Sequence, residues 1–151
     1  SKLDFNLKLV NFKRDKPKYK NLKYKKILSY LSKMDNSKSD IGLVFNKKIL
    51  ETGTSNLLFI KNKKVFVPKE NYYEGNTYKF FKTKIKKIIK KDILVKDLKS
   101  YDEILLIGSG KGVTSVRTIK KINWKRNKLD KFKIFSKYYY LATKQSNHYK
   151  F

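Results

Sequence analysis

The segment Glu51-Thr52-Gly53-Thr54-Ser55-Asn56-Leu57-Leu58-Phe59 sets a single carboxylate ahead of a small-residue turn and an apolar run. Two further turns that combine glycine with a hydroxyl follow it: Gly75-Asn76-Thr77, behind Glu74, and Gly108-Ser109-Gly110. A buried carboxylate can keep a basic ring nitrogen protonated, and glycine turns at helix starts aim backbone N–H groups at a phosphate. Together the three segments are what a protein needs to hold a cofactor carrying both groups. Each also has a plainer reading. Glu51 taken alone is a glutamate at a strand end, solvated and idle. Gly75-Asn76-Thr77 would equally well cap the helix that follows it.

Lys20 stands at the end of a polar turn and the start of an amphipathic pattern, 31 residues before Glu51. A lysine acts as nucleophile and proton shuttle only when its pKa falls well below about 10.4, through burial or nearby cations. Lys18 and Lys23 are such neighbours. In order and spacing these segments resemble the fold-type IV (class IV aminotransferase-like) pyridoxal-phosphate enzymes. Lys20-Asn21-Leu22-Lys23-Tyr24 matches the Lys-x-Leu-x-x pattern around that family's Schiff-base lysine, and Glu51 to Phe59 matches its Glu-x-x-x-x-Asn-hydrophobic-Phe signature.

The resemblance implies pyridoxal 5′-phosphate as cofactor and Lys20 as the catalytic residue that carries it and moves the substrate's Cα proton. It places Tyr24 at the ring oxygen, Glu51 at the ring nitrogen, and Asn76, Thr77 and Ser109 at the phosphate. Ser109 and Gly110 would meet a substrate carboxylate, while Asn56 reads as structural. The chain departs from the family pattern at Lys23, at Asn76 and Tyr78 (where relatives have Gly-Ile-Thr-Arg), and at Lys111, which is either an added anion contact or a solvated side chain.

The elements that must position these residues follow from periodicity. Residues 4–12 alternate apolar and polar and predict a strand; residues 13–18, with Pro17, predict a turn. Leu22, Ile27, Leu28 and Leu31 predict a helix over 21–34, with a loop at 36–40. Residues 41–45, 49–50, 57–60 and 65–67 predict short strands, the last two as a hairpin that Pro68 ends. Phe81, Ile85, Ile88 and Ile89 predict a second helix from Thr77 to about Lys91. Residues 102–107 and 115–119 predict strands, and Phe132, Phe135, Tyr138 and Tyr139 predict a terminal helix over 128–143. About three helices among strands, without βαβ alternation, make the class α+β.

The 151 residues suit one domain. They carry 39 basic against 12 acidic residues, a formal charge of +27. Such a charge fits a polyanion partner. Yet only Arg14, Arg117 and Arg126 are arginines, and the lysines are scattered along the chain, as an A/T-rich coding sequence would produce. The densest basic run, residues 82–91, reads as a solvated helix face, with an RNA- or membrane-contacting surface as the other reading. With no cysteine, disulfides and thiolate metal sites are excluded; with His148 alone, so are a histidine metal cluster and a Ser-His-Asp triad. No metal is expected. No apolar run approaches the roughly 18 residues of a membrane span, and the first residues lack a secretion-signal pattern. The expectation is a soluble, cytoplasmic protein.

The resemblance covers residues 13–143 but only half of the family's enzyme. It implies that this chain is the C-terminal, cofactor-binding domain of the fold, without the N-terminal α/β domain that completes the substrate pocket. Within the family the motifs look closer to the lyase that releases pyruvate from 4-amino-4-deoxychorismate to give 4-aminobenzoate for folate synthesis. Branched-chain and D-amino-acid aminotransferases are the alternatives. An amino-acid-like small molecule is the expected substrate and a homodimer the expected assembly. A basic nucleic-acid-binding module is the reading from another class; Phe81, Phe132 and Phe135 at helical core spacing favour the enzyme over an open stacking face.

Overall fold

Among the described residues nine strands form one mixed sheet curved into a half-barrel, with helices packed on it. The computed structural model describes residues 2–11, 29, 32–35, 37–53, 55–69, 74–108 and 112–148. In chain order these hold β1 (Lys2–Asn11), β2 (Ser39–Phe45), β3 (Lys48–Thr52), β4 (Asn56–Lys61), β5 (Lys64–Pro68), α1 (Asn76–Lys84), β6 (Ile88–Lys91), β7 (Glu103–Gly108), β8 (Gly112–Ile119), β9 (Trp124–Lys125) and α2 (Asp130–His148). The spatial order is β3-β2-β1-β8-β7-β4-β5-β6, with β9 pairing β8. This is the expected α+β class. The helix expected over 21–34 falls almost wholly outside the described residues.

Two hairpins share one solution. β2–β3 turns at Asn46-Lys47 and β4–β5 at Asn62-Lys63, with φ between 51° and 66° at all four residues. A left-handed pair of this kind matches the twist of the flanking strands, and asparagine tolerates it better than most side chains. β1, by contrast, pairs parallel with both β2 and β8, which requires long connections.

The sheet is apolar on both faces. On one face Phe5, Leu9, Phe59, Ile104, Leu106 and Val116 pack with Leu98, Tyr101 and Trp124. On the other, Leu58, Ile60, Leu105, Ile107 and Val113 pack beneath Tyr78 and Phe81 of α1 and Phe135 of α2. That is why β4 and β7 read as continuous apolar runs instead of alternating ones.

The helix expected over 77–91 is corrected. It stops at Lys84, Ile85 turns extended, and Ile88 and Ile89 enter β6, paired in parallel with Val65 and Phe66 of β5. The spacing 81, 85, 88, 89 fits a helix, but two adjacent β-branched residues fit the sheet edge better. The basic run of 82–91 is therefore the end of a helix followed by an edge strand. Exposed Lys90 and Lys91 sit on that edge, where charge discourages pairing with another chain.

Candidate functional site

Glu51 lies near the end of β3, opposite Leu43 of β2, after a register shift at Leu50. It is 7% exposed. The turn that follows is locked from within. Thr52 N–H donates to the Ser55 carbonyl at 3.0 Å, Ser55 N–H donates to Thr52 Oγ1 at 2.7 Å, and that hydroxyl donates to the Ser55 carbonyl at 3.1 Å. Gly53 N–H reaches across to the Ile41 carbonyl at 3.2 Å. Thr52 and Ser55 are both buried, so these bonds fix where Glu51 ends and β4 begins.

Asn56 opens β4 and ties two of the predicted segments together. Its Oδ1 accepts the N–H of Gly75, nineteen residues on, at 3.0 Å. In the sheet it pairs with Ile107 of β7, next to Gly108. The two sheet faces also relate Asn56 to Glu51. Leu43 packs with Val10, Ile41 and Met34, on the face opposite Phe5 and Val116. Ile107 and Val113 lie on that same face. Glu51, paired with Leu43, and Asn56, paired with Ile107, therefore share it.

Gly75 is the N-cap of α1, extended at φ −74° and ψ 165°, and has no side chain to bond the first turn. No acidic residue stands in that turn. The first-turn N–H groups and the positive end of the helix dipole are groups that attract negative charge. Thr77 is buried at the start of the helix and Asn76 is exposed. A side chain at Gly75 would bring a Cβ to 3.3 Å from Asn56 Oδ1. Tyr78, where the resembling family has arginine, is fully buried in the core and contributes packing.

β7 ends at Gly108, which pairs with Gly112 at the start of β8. Gly112 has φ +63°, and a Cβ there would lie 2.8 Å from Tyr139 Cε1. Both facts require glycine. Lys20, Tyr24, Ser109, Gly110 and Lys111 lie outside the described residues. Of the predicted site, the structure thus places Glu51, Asn76 and Thr77. It brings the Glu51 turn to the Gly75 helix start through Asn56, with Gly108 beside them.

Sequence reasoning gave Asn56 a structural part, which fits, but missed its partner, because nothing local marks a bond across nineteen residues. It missed Glu103 as well, although an acid heading the apolar run Ile104-Leu105-Leu106-Ile107 is a signal. Glu103 is buried and its carboxylate accepts the N–H groups of Lys131 and Phe132 at 3.0 and 3.1 Å, capping α2. Burial pushes its carboxyl above the ordinary 4.5; those two N–H groups pull it down, and Asp130 and Asp102 push it up.

Among the described residues no cluster of His, Cys, Asp and Glu could hold a metal ion, and no helix is long and apolar enough to cross a membrane.

Residues 2–119 match the family model described as amino-transferase class IV. Several solved structures share the fold. A branched-chain aminotransferase from Thermoproteus uzoniensis matches with TM-score 0.73 and 14% identity over 89% of this chain and 49% of its own. A 4-amino-4-deoxychorismate lyase from Pseudomonas aeruginosa matches with TM-score 0.66 and 16% identity over 83% of this chain and 51% of its own. A branched-chain amino acid aminotransferase from Escherichia coli matches with TM-score 0.66 and 17% identity over 82% and 47%. The chain spans about half the length of these proteins. Comparison with curated proteins gives no match.

Proposed function

The chain belongs to the class IV aminotransferase family, and on that premise we propose that it is the cofactor-holding part of a pyridoxal-phosphate enzyme acting on an amino-acid-like small molecule. Members of the family use pyridoxal phosphate. The observation that carries the reading is the Asn56–Gly75 hydrogen bond, which ties the start of α1 to the strand that follows the turn of the buried Glu51. These residues fit the cofactor: Glu51 suits the ring nitrogen, and the first turn of α1 suits a phosphate dianion.

When bound, pyridoxal phosphate supplies the electron sink for a carbanion at the substrate's Cα. The work of the chain is to hold and move protons around it. Glu51, shielded from water, keeps a proton on the ring nitrogen. The backbone N–H groups of Asn76 and Thr77, the Thr77 hydroxyl and the Ser109 hydroxyl bind the phosphate. Lys20 carries the cofactor and moves the proton at Cα, and Tyr24 orients the ring oxygen.

The reaction we favour is release of pyruvate from 4-amino-4-deoxychorismate, supported by Lys20-Asn21-Leu22-Lys23-Tyr24 and the Glu51 to Asn56 turn. A branched-chain or D-amino-acid aminotransferase uses the same residues in the same roles. Substrate choice rests with a second, α/β part and with assembly as a homodimer, both parts of this reading. Burial of Phe81 and Phe135 in the core speaks for an enzyme over a nucleic-acid stacking module, which presents its aromatics on an open face.

The test is to add pyridoxal phosphate, reduce with borohydride and map the modified lysine. A visible absorbance band that borohydride fixes onto Lys20 is expected; label scattered over surface lysines would sink the reading. Glu51→Gln should keep the attachment while lowering turnover about a hundredfold, the scale of one lost preorganised electrostatic contact. Formation of 4-aminobenzoate and pyruvate from 4-amino-4-deoxychorismate, against transfer from leucine or D-alanine to 2-oxoglutarate, separates the lyase from the aminotransferases.

A further inference from the structure

α2 begins at Asp130, beyond the residues 2–119 that match the family model. Nevertheless it packs on α1, whose first turn holds the phosphate in the reading above, and on Gly112, which pairs with Gly108 at the end of β7. Phe135 packs on Phe81 of α1, ring centroids 5.6 Å apart. One turn further along α2, the Tyr139 ring lies against Gly112, so closely that a methyl group there would meet its Cε1 at 2.8 Å. Phe81 and Phe135 are buried and Tyr139 is half-buried, packed against the same cluster. The helix whose N-terminus forms the anion seat and the glycine that starts β8 are thus held from behind by two aromatic rings on one helix face.

We propose that Tyr139 is a positioning residue for phosphate binding. Its ring fixes Gly112 in the left-handed conformation opposite Gly108, and so sets the distance between the end of β7 and the first turn of α1. The physical reason is that an aromatic ring in van der Waals contact with a glycine backbone removes freedom that glycine alone would keep. Hydrogen bonds to a phosphate depend steeply on distance and angle, so a small loosening at Gly112 shows in phosphate affinity before it shows in the fold. The inference rests on the cofactor reading of the preceding subsection.

The experiment compares the affinities of pyridoxal phosphate and pyridoxal, which lacks the phosphate, in the wild type and in Tyr139→Phe and Tyr139→Leu, with the melting temperature of each ligand-free protein. Tyr139→Phe keeps the ring and should keep the wild-type preference for the phosphorylated ligand. Tyr139→Leu keeps apolar packing but frees Gly112; it should lower that preference about tenfold, the equivalent of one weakened charge-assisted hydrogen bond, with pyridoxal affinity unchanged. Should Tyr139→Leu melt too low to assay, Tyr139→Met, which fills the volume flexibly, takes its place with the same expectation. Equal weakening of both ligands, or no change in the ratio, would overturn the positioning role. A wild type with no preference for the phosphorylated ligand would instead refute the phosphate seat itself, so the two failures are distinguishable.

Discussion

The α-helices α1 and α2 begin in opposite ways. α2 starts under a buried carboxylate: Glu103 accepts two N–H groups of its first turn, and Asp130 adds a second acid there. α1 starts behind a glycine, with no acid in its first turn and its N-cap N–H held by an amide oxygen. Both helix starts carry the same orphan donors and the same dipole. One is closed by the protein's own anion and serves stability. The other starts at a glycine tied to Asn56, whose strand neighbour Ile107 precedes Gly108, and in the function we propose it receives the phosphate. The contrast shows that two helix starts with the same orphan donors can differ in whether the protein's own carboxylate meets them.

The contrast can be broken most severely at α2. Glu103→Ala strips two part-buried N–H groups of their buried acceptor and should cost about 2 kcal/mol of stability, read as a fall in melting temperature or denaturation midpoint. Phosphate preference over pyridoxal should survive in whatever fraction stays folded. If that preference went first, the division of labour between the helices would be wrong.

The reverse change at α1 is smaller. Asn76→Asp gives that helix the acid it lacks. Affinity for pyridoxal phosphate should fall about tenfold through like-charge repulsion in a partly screened site. Stability should rise by about 0.5 kcal/mol through the dipole. Titration calorimetry and thermal melts should thus move in opposite directions, and a shared direction would refute an anion seat at Thr77.

The mildest effect is a pH dependence. With its carboxyl raised by burial, Glu103 binds a proton more tightly in the folded chain than in the unfolded one. Its contribution is fully present below the unfolded value near 4.5 and is lost as pH rises through the higher folded value. Melting temperature should therefore decline across that interval in the wild type and stay flatter in Glu103→Gln. An unchanged slope in the variant would assign the dependence to other groups.

Much of this was legible in the chain. The hairpin of residues 57–67, the strand ahead of Gly108 and the helix carrying Phe132 and Phe135 follow from short-range periodicity, because side chains three and four apart in a helix, or two apart in a strand, share a face whatever surrounds them. The helix starting near Thr77 was legible too, yet its end was not. Ile88 and Ile89 suit a helix by spacing and a strand by type, and the presence of β5 beside them settles the choice. Glu103 shows the same limit: an acid in an apolar strand signals an unusual partner but cannot say which N–H groups it meets.

The order of residues along the chain settles the types of group on offer: one carboxylate before a small-residue turn, two glycine-hydroxyl turns, and no cysteine or histidine cluster to compete with them. Folding then brings Asn56 to Gly75, sets Glu51 and Asn56 on one sheet face, and presses Tyr139 on Gly112. The first and the last of those relations join residues well separated in the chain, and the second spans a turn. They depend on strand order and register, which are set by how both faces of the sheet are buried at once and not by any local run of residues.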